Sequence, residues 1–108
     1  MMNGAVAVLE EYNYQALQKL WELEEKFVTL VVSPTCGTCM VAKKMLQIVS
    51  EISPGTGFGQ IDLNLNEQLA RDFQILSIPC VLIHSAGVPV EKIYQLNDVT
   101  ELYQKINF

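Results

Sequence analysis

Apolar positions along this chain repeat at two different periods, and the two alternate. Ala5 to Leu9 is a short apolar run that predicts a strand. Asn13 then stands as a helix N-cap before Tyr14, Leu17, Leu20, Trp21 and Leu23, whose spacing predicts a helix running to about Glu25. Phe27 to Val32, "FVTLVV", is β-branched and apolar on both faces, as expected of a central parallel strand. Pro34 ends it. From Gly37 onward Met40, Val41, Met45, Leu46, Ile48, Val49 and Ile52 recur at helical intervals, with Lys43, Lys44 and Glu51 facing away, which predicts an amphipathic second helix.

"SPGTG", Ser53 to Gly57, breaks that helix, and "FGQIDL", Phe58 to Leu63, reads as a third strand. Asn66 opens a short helix through Asp72. "IPCVLIHS", Ile78 to Ser85, carries its proline at the start, where a strand tolerates one, and "AGVP" turns it into "VEKIYQL" as an antiparallel hairpin. Asn97 or Asp98 caps a last helix with Val99, Leu102, Tyr103 and Ile106 on its apolar side. The predicted order is β-α-β-α-β-α-β-β-α: an α/β fold with a central mixed β-sheet flanked by helices.

Composition narrows this picture. The 108 residues have room for one core, so residues 1–108 are read as a single domain. Half the residues are apolar and 18% are charged, a globular and not a disordered balance. Net charge is −5, and the seven Lys and Arg are scattered, so no basic face exists to neutralise a nucleic-acid backbone. Ala5 to Leu9 has no basic residue before it and is too short for a signal peptide or a membrane span. A cytoplasmic location is the expectation, and in a reducing cytosol a close cysteine pair is more often catalytic or metal-binding than a staple.

That pair lies in "SPTCGTCMVAKKM", Ser33 to Met45, where a buried strand gives way to a helix. Cys36 at such a junction faces unpaired backbone N–H groups and the positive end of the helix dipole, both of which favour thiolate. A helix end is worth roughly 0.3 to 2 kcal/mol, and about 1.36 kcal/mol moves a pKa by one unit. From an ordinary value of about 8.5, Cys36 comes close to neutrality, where thiolate is populated and still nucleophilic. Cys39 is one turn further on, within bonding range. Cys36 therefore reads as the attacking nucleophile and Cys39 as the thiol that resolves the resulting mixed disulfide, while Gly37 and Thr38 allow a tight turn and leave Cys36 reachable.

With "CGTC" after a buried strand, "SIPCVLI" at Ser77 to Ile83 about forty residues later and a single glycine, Gly87, in the following turn, the sequence resembles the thioredoxin family over nearly its whole length. The resemblance implies a thioredoxin fold, a protein-disulfide reductase activity and no metal or organic cofactor. It implies that Pro79 is cis and packs against the dithiol while the Ile78 backbone pairs with an extended substrate. Without the dithiol, Pro79 would read as a trans proline opening a strand. Thr35, Gly37, Thr38, Ile78 and Pro79 form the expected substrate-binding set. The expected partners are disulfide-containing proteins and a thioredoxin reductase as electron donor, with no nucleic acid or membrane; a monomer is expected. A glutaredoxin would carry a double glycine where "HSAGVPV" has one.

Four positions depart from the family. Thr35 replaces the usual Trp before the first cysteine, and Thr38 the usual Pro between the two. Leu30 takes the place of a buried Asp held to receive the proton of the resolving cysteine, so resolution is expected to be slower or more dependent on pH. Cys80 stands where many thioredoxins have Thr, either as a small buried hydrophobe or as a third redox thiol.

The competing function is a cysteine-ligated metal or iron–sulfur protein. Cys36, Cys39, Cys80 and His84 supply four candidate ligands, but Cys80 and His84, four residues apart on one strand, are separated by about 13 Å, too far to share an ion. Trp21 is expected to pack, Met40 and Met45 to fill gaps in the core with Met40 alternatively touching a bound peptide, and Asp62 to face solvent, with a buried acid as the alternative.

Overall fold

The structure, a computed structural model, describes residues 8–107. Helix α1 spans Tyr14–Leu23, strand β1 Lys26–Val32, helix α2 Gly37–Glu51 and strand β2 Gly57–Asp62. A 3-10 turn, Leu63–Leu65, leads to helix α3, Glu67–Phe73, then strands β3, Cys80–Ser85, and β4, Val88–Ile93, and helix α4, Val99–Asn107. The predicted first strand falls largely outside the described residues. Leu9 is not in a strand; an isolated parallel bridge instead joins Glu11 to Gln60, through Tyr12 N to Gln60 O (2.9 Å) and Gln60 N to Glu10 O (2.8 Å).

The sheet order is β2-β1-β3-β4, with β1 parallel to β2 and antiparallel to β3. β1 is thus a central strand, and Phe27 through Val31 are all buried. Alternation along it divides the core in two. Val28 and Leu30 face Ala42, Leu46 and Val49 of α2 and Leu102 and Ile106 of α4. Phe27 and Val31 face Leu17 of α1 and Leu69 of α3. Each such Val, Leu, Ile or Phe side chain contributes roughly 1.5–3 kcal/mol on burial. Thr29, the one polar residue within the run, is satisfied on the α1 side, where its Oγ1 accepts from Trp21 Nε1 at 3.1 Å.

Helix boundaries follow their caps. Asn13 accepts from Ala16 N at 2.8 Å to start α1, and Asp98 rather than Asn97 accepts from Glu101 N at 2.8 Å to start α4. Asn66 precedes α3, but its side chain is used elsewhere: Oδ1 accepts from Tyr14 N (3.0 Å) and Nδ2 donates to the main chain of Asp62 (2.9 Å). The β3–β4 turn requires Gly87, at φ +73°. β4 begins two residues earlier than the "VEKIYQL" pattern predicts and includes Pro89, which an edge strand can hold.

The apolar face assigned to the second helix is corrected. Met40 (67% exposed), Val41, Ile48 and Ile52 lie on the outside, while Cys39, Ala42, Leu46 and Val49 make the buried stripe. The apolar face of α2 is wider than the sheet and α4 cover, so Val41 and Ile48 beside the buried stripe stay exposed. Met40 is therefore no gap filler, whereas Met45 does pack on the core. Leu23, at the end of α1, is exposed as well.

Candidate active site

β1 delivers the chain to Ser33 and Pro34, and Cys36 then occupies the N-cap of the 15-residue α2 with extended backbone (φ −93°, ψ 107°). Its sulfur takes no capping hydrogen bond and lies 3.5 Å from Thr38 Oγ1. The backbone N–H of Cys39 donates to Cys36 O at 3.3 Å, and the two cysteines, with Cα atoms 5.3 Å apart, are joined by a disulfide. Cys36 is half-buried, and Cys39 is only 4% exposed. Thr35, Gly37 and Thr38 are exposed around the pair. One sulfur thus sits at the rim, at the positive end of a helix, with its partner beneath it.

The Ile78–Pro79 peptide is cis. Cys80 is registered opposite Val31, so Pro79 comes beside the end of β1 from which the Cys36 loop departs. Ile78 and Pro79 are both half-buried. Cys80 is separated from this group. It is fully buried among Leu17, Val31 and Leu82 on the α1/α3 side of the sheet, opposite to α2. Burial pushes its thiol up to about 11, against smaller lowering effects of a hydrogen bond with Tyr94 and the charge of Lys92.

A cleft of about 290 Å³ borders the dithiol on its other flank. Cys36, Cys39 and Lys43 contribute from α2, Val32 from β1, Gln60 and Asp62 from β2, and Glu11 from the edge segment. No spacing along the chain brings these residues together; the strand register does. Alternation along "FGQID" contains the signal, because Phe58 packs toward α2 and so Gln60 and Asp62 share its face. Asp62 is half-buried, not fully solvent-facing. Leu30, by contrast, is fully buried among apolar side chains.

His84 lies on the α1/α3 side, stacked on Trp21 with ring centroids 3.8 Å apart, so Trp21 packs as expected. Among the described residues, no three or more His, Cys, Asp or Glu side chains are grouped to hold a metal ion.

A vicinal dithiol at the start of a helix, beside a cis-proline loop on a mixed sheet, defines a thiol–disulfide exchange protein. A family model described as Thioredoxin matches residues 5–108. The thioredoxin-like protein YusE of Bacillus subtilis is 36% identical over 83 residues, 77% of this chain and 78% of that one. A bifunctional thioredoxin reductase/thioredoxin of Mycobacterium leprae is 37% identical over 59 residues, 54% of this chain but 13% of that protein. Mitochondrial thioredoxin 3 of Saccharomyces cerevisiae, in its oxidised form, superposes with a TM-score of 0.81 over 91% of this chain and 92% of that one, at 20% identity, which speaks to the fold. The chain belongs to the thioredoxin family and is a thiol–disulfide oxidoreductase.

Proposed function

We propose that this protein reduces disulfides of other proteins, with Cys36 as the attacking thiolate and Cys39 as the resolving thiol. The observation that carries this assignment is their unequal burial: Cys36 lies at the rim as the helix N-cap, and Cys39 is 4% exposed beneath it. Cys36 attacks one sulfur of the substrate disulfide and releases the other as thiolate. Cys39 then attacks Cys36, closes the internal disulfide and releases the reduced substrate. Ile78 and Pro79 hold the peptide through main-chain pairing, and the exposed Thr35, Gly37 and Thr38 border it. Thr35 offers less apolar wall than an aromatic residue would.

The direction of exchange requires a source of electrons. A thioredoxin reductase fits that role, and the Mycobacterium leprae relative carries a reductase and a thioredoxin in one chain. Reduction of partners also suits the cytoplasm, where thiols are kept reduced, and a monomer leaves the dithiol open to both partners. Cys80 belongs to the core in this reading and takes no part in exchange.

A Cys39→Ser variant tests the assignment when mixed with a disulfide-bonded protein substrate and separated on non-reducing gels. A stable mixed disulfide through Cys36 is expected, with turnover lost. Failure to trap the adduct, or an adduct through Cys80, contradicts the reading.

A further inference from the structure

Resolution requires Cys39 to lose its proton while almost wholly buried, so the identity of the acceptor is a question of what shares its cleft. Directly below, on β1, there is none, because Leu30 is apolar and fully buried. The next strand outward supplies one. β2 runs parallel to β1 with Leu30 opposite Gln60 and Val32 opposite Asp62, and strands lie about 4.8 Å apart. Since Phe58 packs toward α2, Gln60 and Asp62 point to that same side, and both line the cleft that holds Cys39.

Asp62 is also fixed in place. Its Oδ1 accepts from Asn64 N at 2.9 Å and its main-chain oxygen from Asn66 Nδ2 at 2.9 Å, and Oδ2 has no hydrogen-bond partner among the described residues. The other titratable groups lining the cleft are Cys36, Lys43 and Glu11. Lys43 is a cation that favours the thiolate, and Glu11 is an exposed side chain on the edge segment.

We propose that Asp62 receives the proton of Cys39 in the resolving step, through water in the cleft beside β2. This rests on Cys39 being the resolving thiol. The proton passes from Cys39 Sγ to the Asp62 carboxylate, and the Cys39 thiolate attacks Cys36 Sγ of the mixed disulfide. The Cys36–Cys39 bond forms as the Cys36–substrate bond breaks. The substrate sulfur leaves as thiolate with the electron pair of that bond, and Asp62 returns its proton to solvent. Across the whole exchange the dithiol is oxidised and the substrate disulfide reduced.

The test mixes reduced protein with an equimolar aromatic disulfide whose thiolate is coloured and follows its release by stopped flow between about pH 6 and pH 9. The first release reports attack by Cys36, and the second reports resolution by Cys39. Asp62→Asn keeps an oxygen for the Asn64 N–H, so the turn is preserved. In this variant the first phase is expected to stay unchanged, while the second slows about tenfold near pH 6.5. The difference narrows as pH rises, because hydroxide increasingly takes the proton in place of Asp62, and Asp62→Glu restores part of the lost rate. A second phase as fast as in the native protein overturns the proposal. Slowing by the same factor at every pH also overturns it, because that marks a structural defect, and so does a loss produced by Glu11→Gln in place of Asp62→Asn. If the native protein itself shows no second phase, the resolving role of Cys39 fails, and this proposal fails with it.

Discussion

His84 shows how one side chain can tie stability to pH in a protein whose chemistry lies elsewhere. Its ring is stacked on Trp21 and meets Phe73 edge-on at 5.7 Å, and its buried Nδ1 has no hydrogen-bond partner among the described residues. Burial lowers its pKa to about 4, against about 6.5 for an unfolded histidine. Between those values the unfolded chain binds a proton that the folded chain refuses. Stability from this site is therefore complete above about pH 6.5 and declines as pH falls toward about 4. Allowing for partial solvent screening, the loss is on the order of 1–2 kcal/mol. Urea unfolding of the native protein and of His84→Phe at about pH 7.5 and pH 4.5 checks this, because the variant should lack that part of the decline. Equal declines in the two proteins would assign it to other groups.

Among the elements, β2 carries most of the site's second flank, and its shape depends on what it omits. Gly59 is buried, and a Cβ there would come within 2.7 Å of the Tyr12 ring, on the α1/α3 side of the sheet. Alanine normally strengthens a strand over glycine, so the sign of the substitution is diagnostic. Gly59→Ala is expected to destabilise the protein by about 1–3 kcal/mol through overpacking, measured as a lower urea midpoint at unchanged slope. A neutral or stabilising result would mean that Tyr12 does not cover this strand. Displacing Tyr12 also disturbs the Glu11–Gln60 bridge, which holds the outer wall of the cleft beside Cys39. α2 shows the opposite economy, with its buried stripe short of the apolar residues available to it and Met40 left exposed one residue after Cys39.

At the scale of the whole molecule, the dithiol motif, the Ile-Pro loop and the alternation of periods made the architecture and the reacting pair legible in the sequence, because each depends on local spacing. What escaped depended on facing surfaces. Val41, Ile48 and Ile52 have helical periodicity, but only tertiary coverage by the sheet and α4 decides which apolar stripe is buried. Asp62 and Glu11 are 51 residues apart in the chain and meet Cys39 only through strand register, so spacing alone could not join them. Cys80 adjoins the Ile-Pro loop in sequence, yet pleating turns its side chain to the far face of the sheet.

Exchange requires β1 and α2 to place one sulfur, and only one, where it is both ionised and reachable. The most direct measurement is the rate of iodoacetamide labelling of the fully reduced protein against pH, with each modified cysteine assigned by mass spectrometry. Labelling is predicted to fall on Cys36 and to rise at lower pH than that of an ordinary thiol, while Cys39 and Cys80 react far more slowly. Labelling of Cys36 at about pH 6.5 no faster than that of a thiol in an unstructured peptide, or preferential labelling of Cys39 or Cys80, would contradict it.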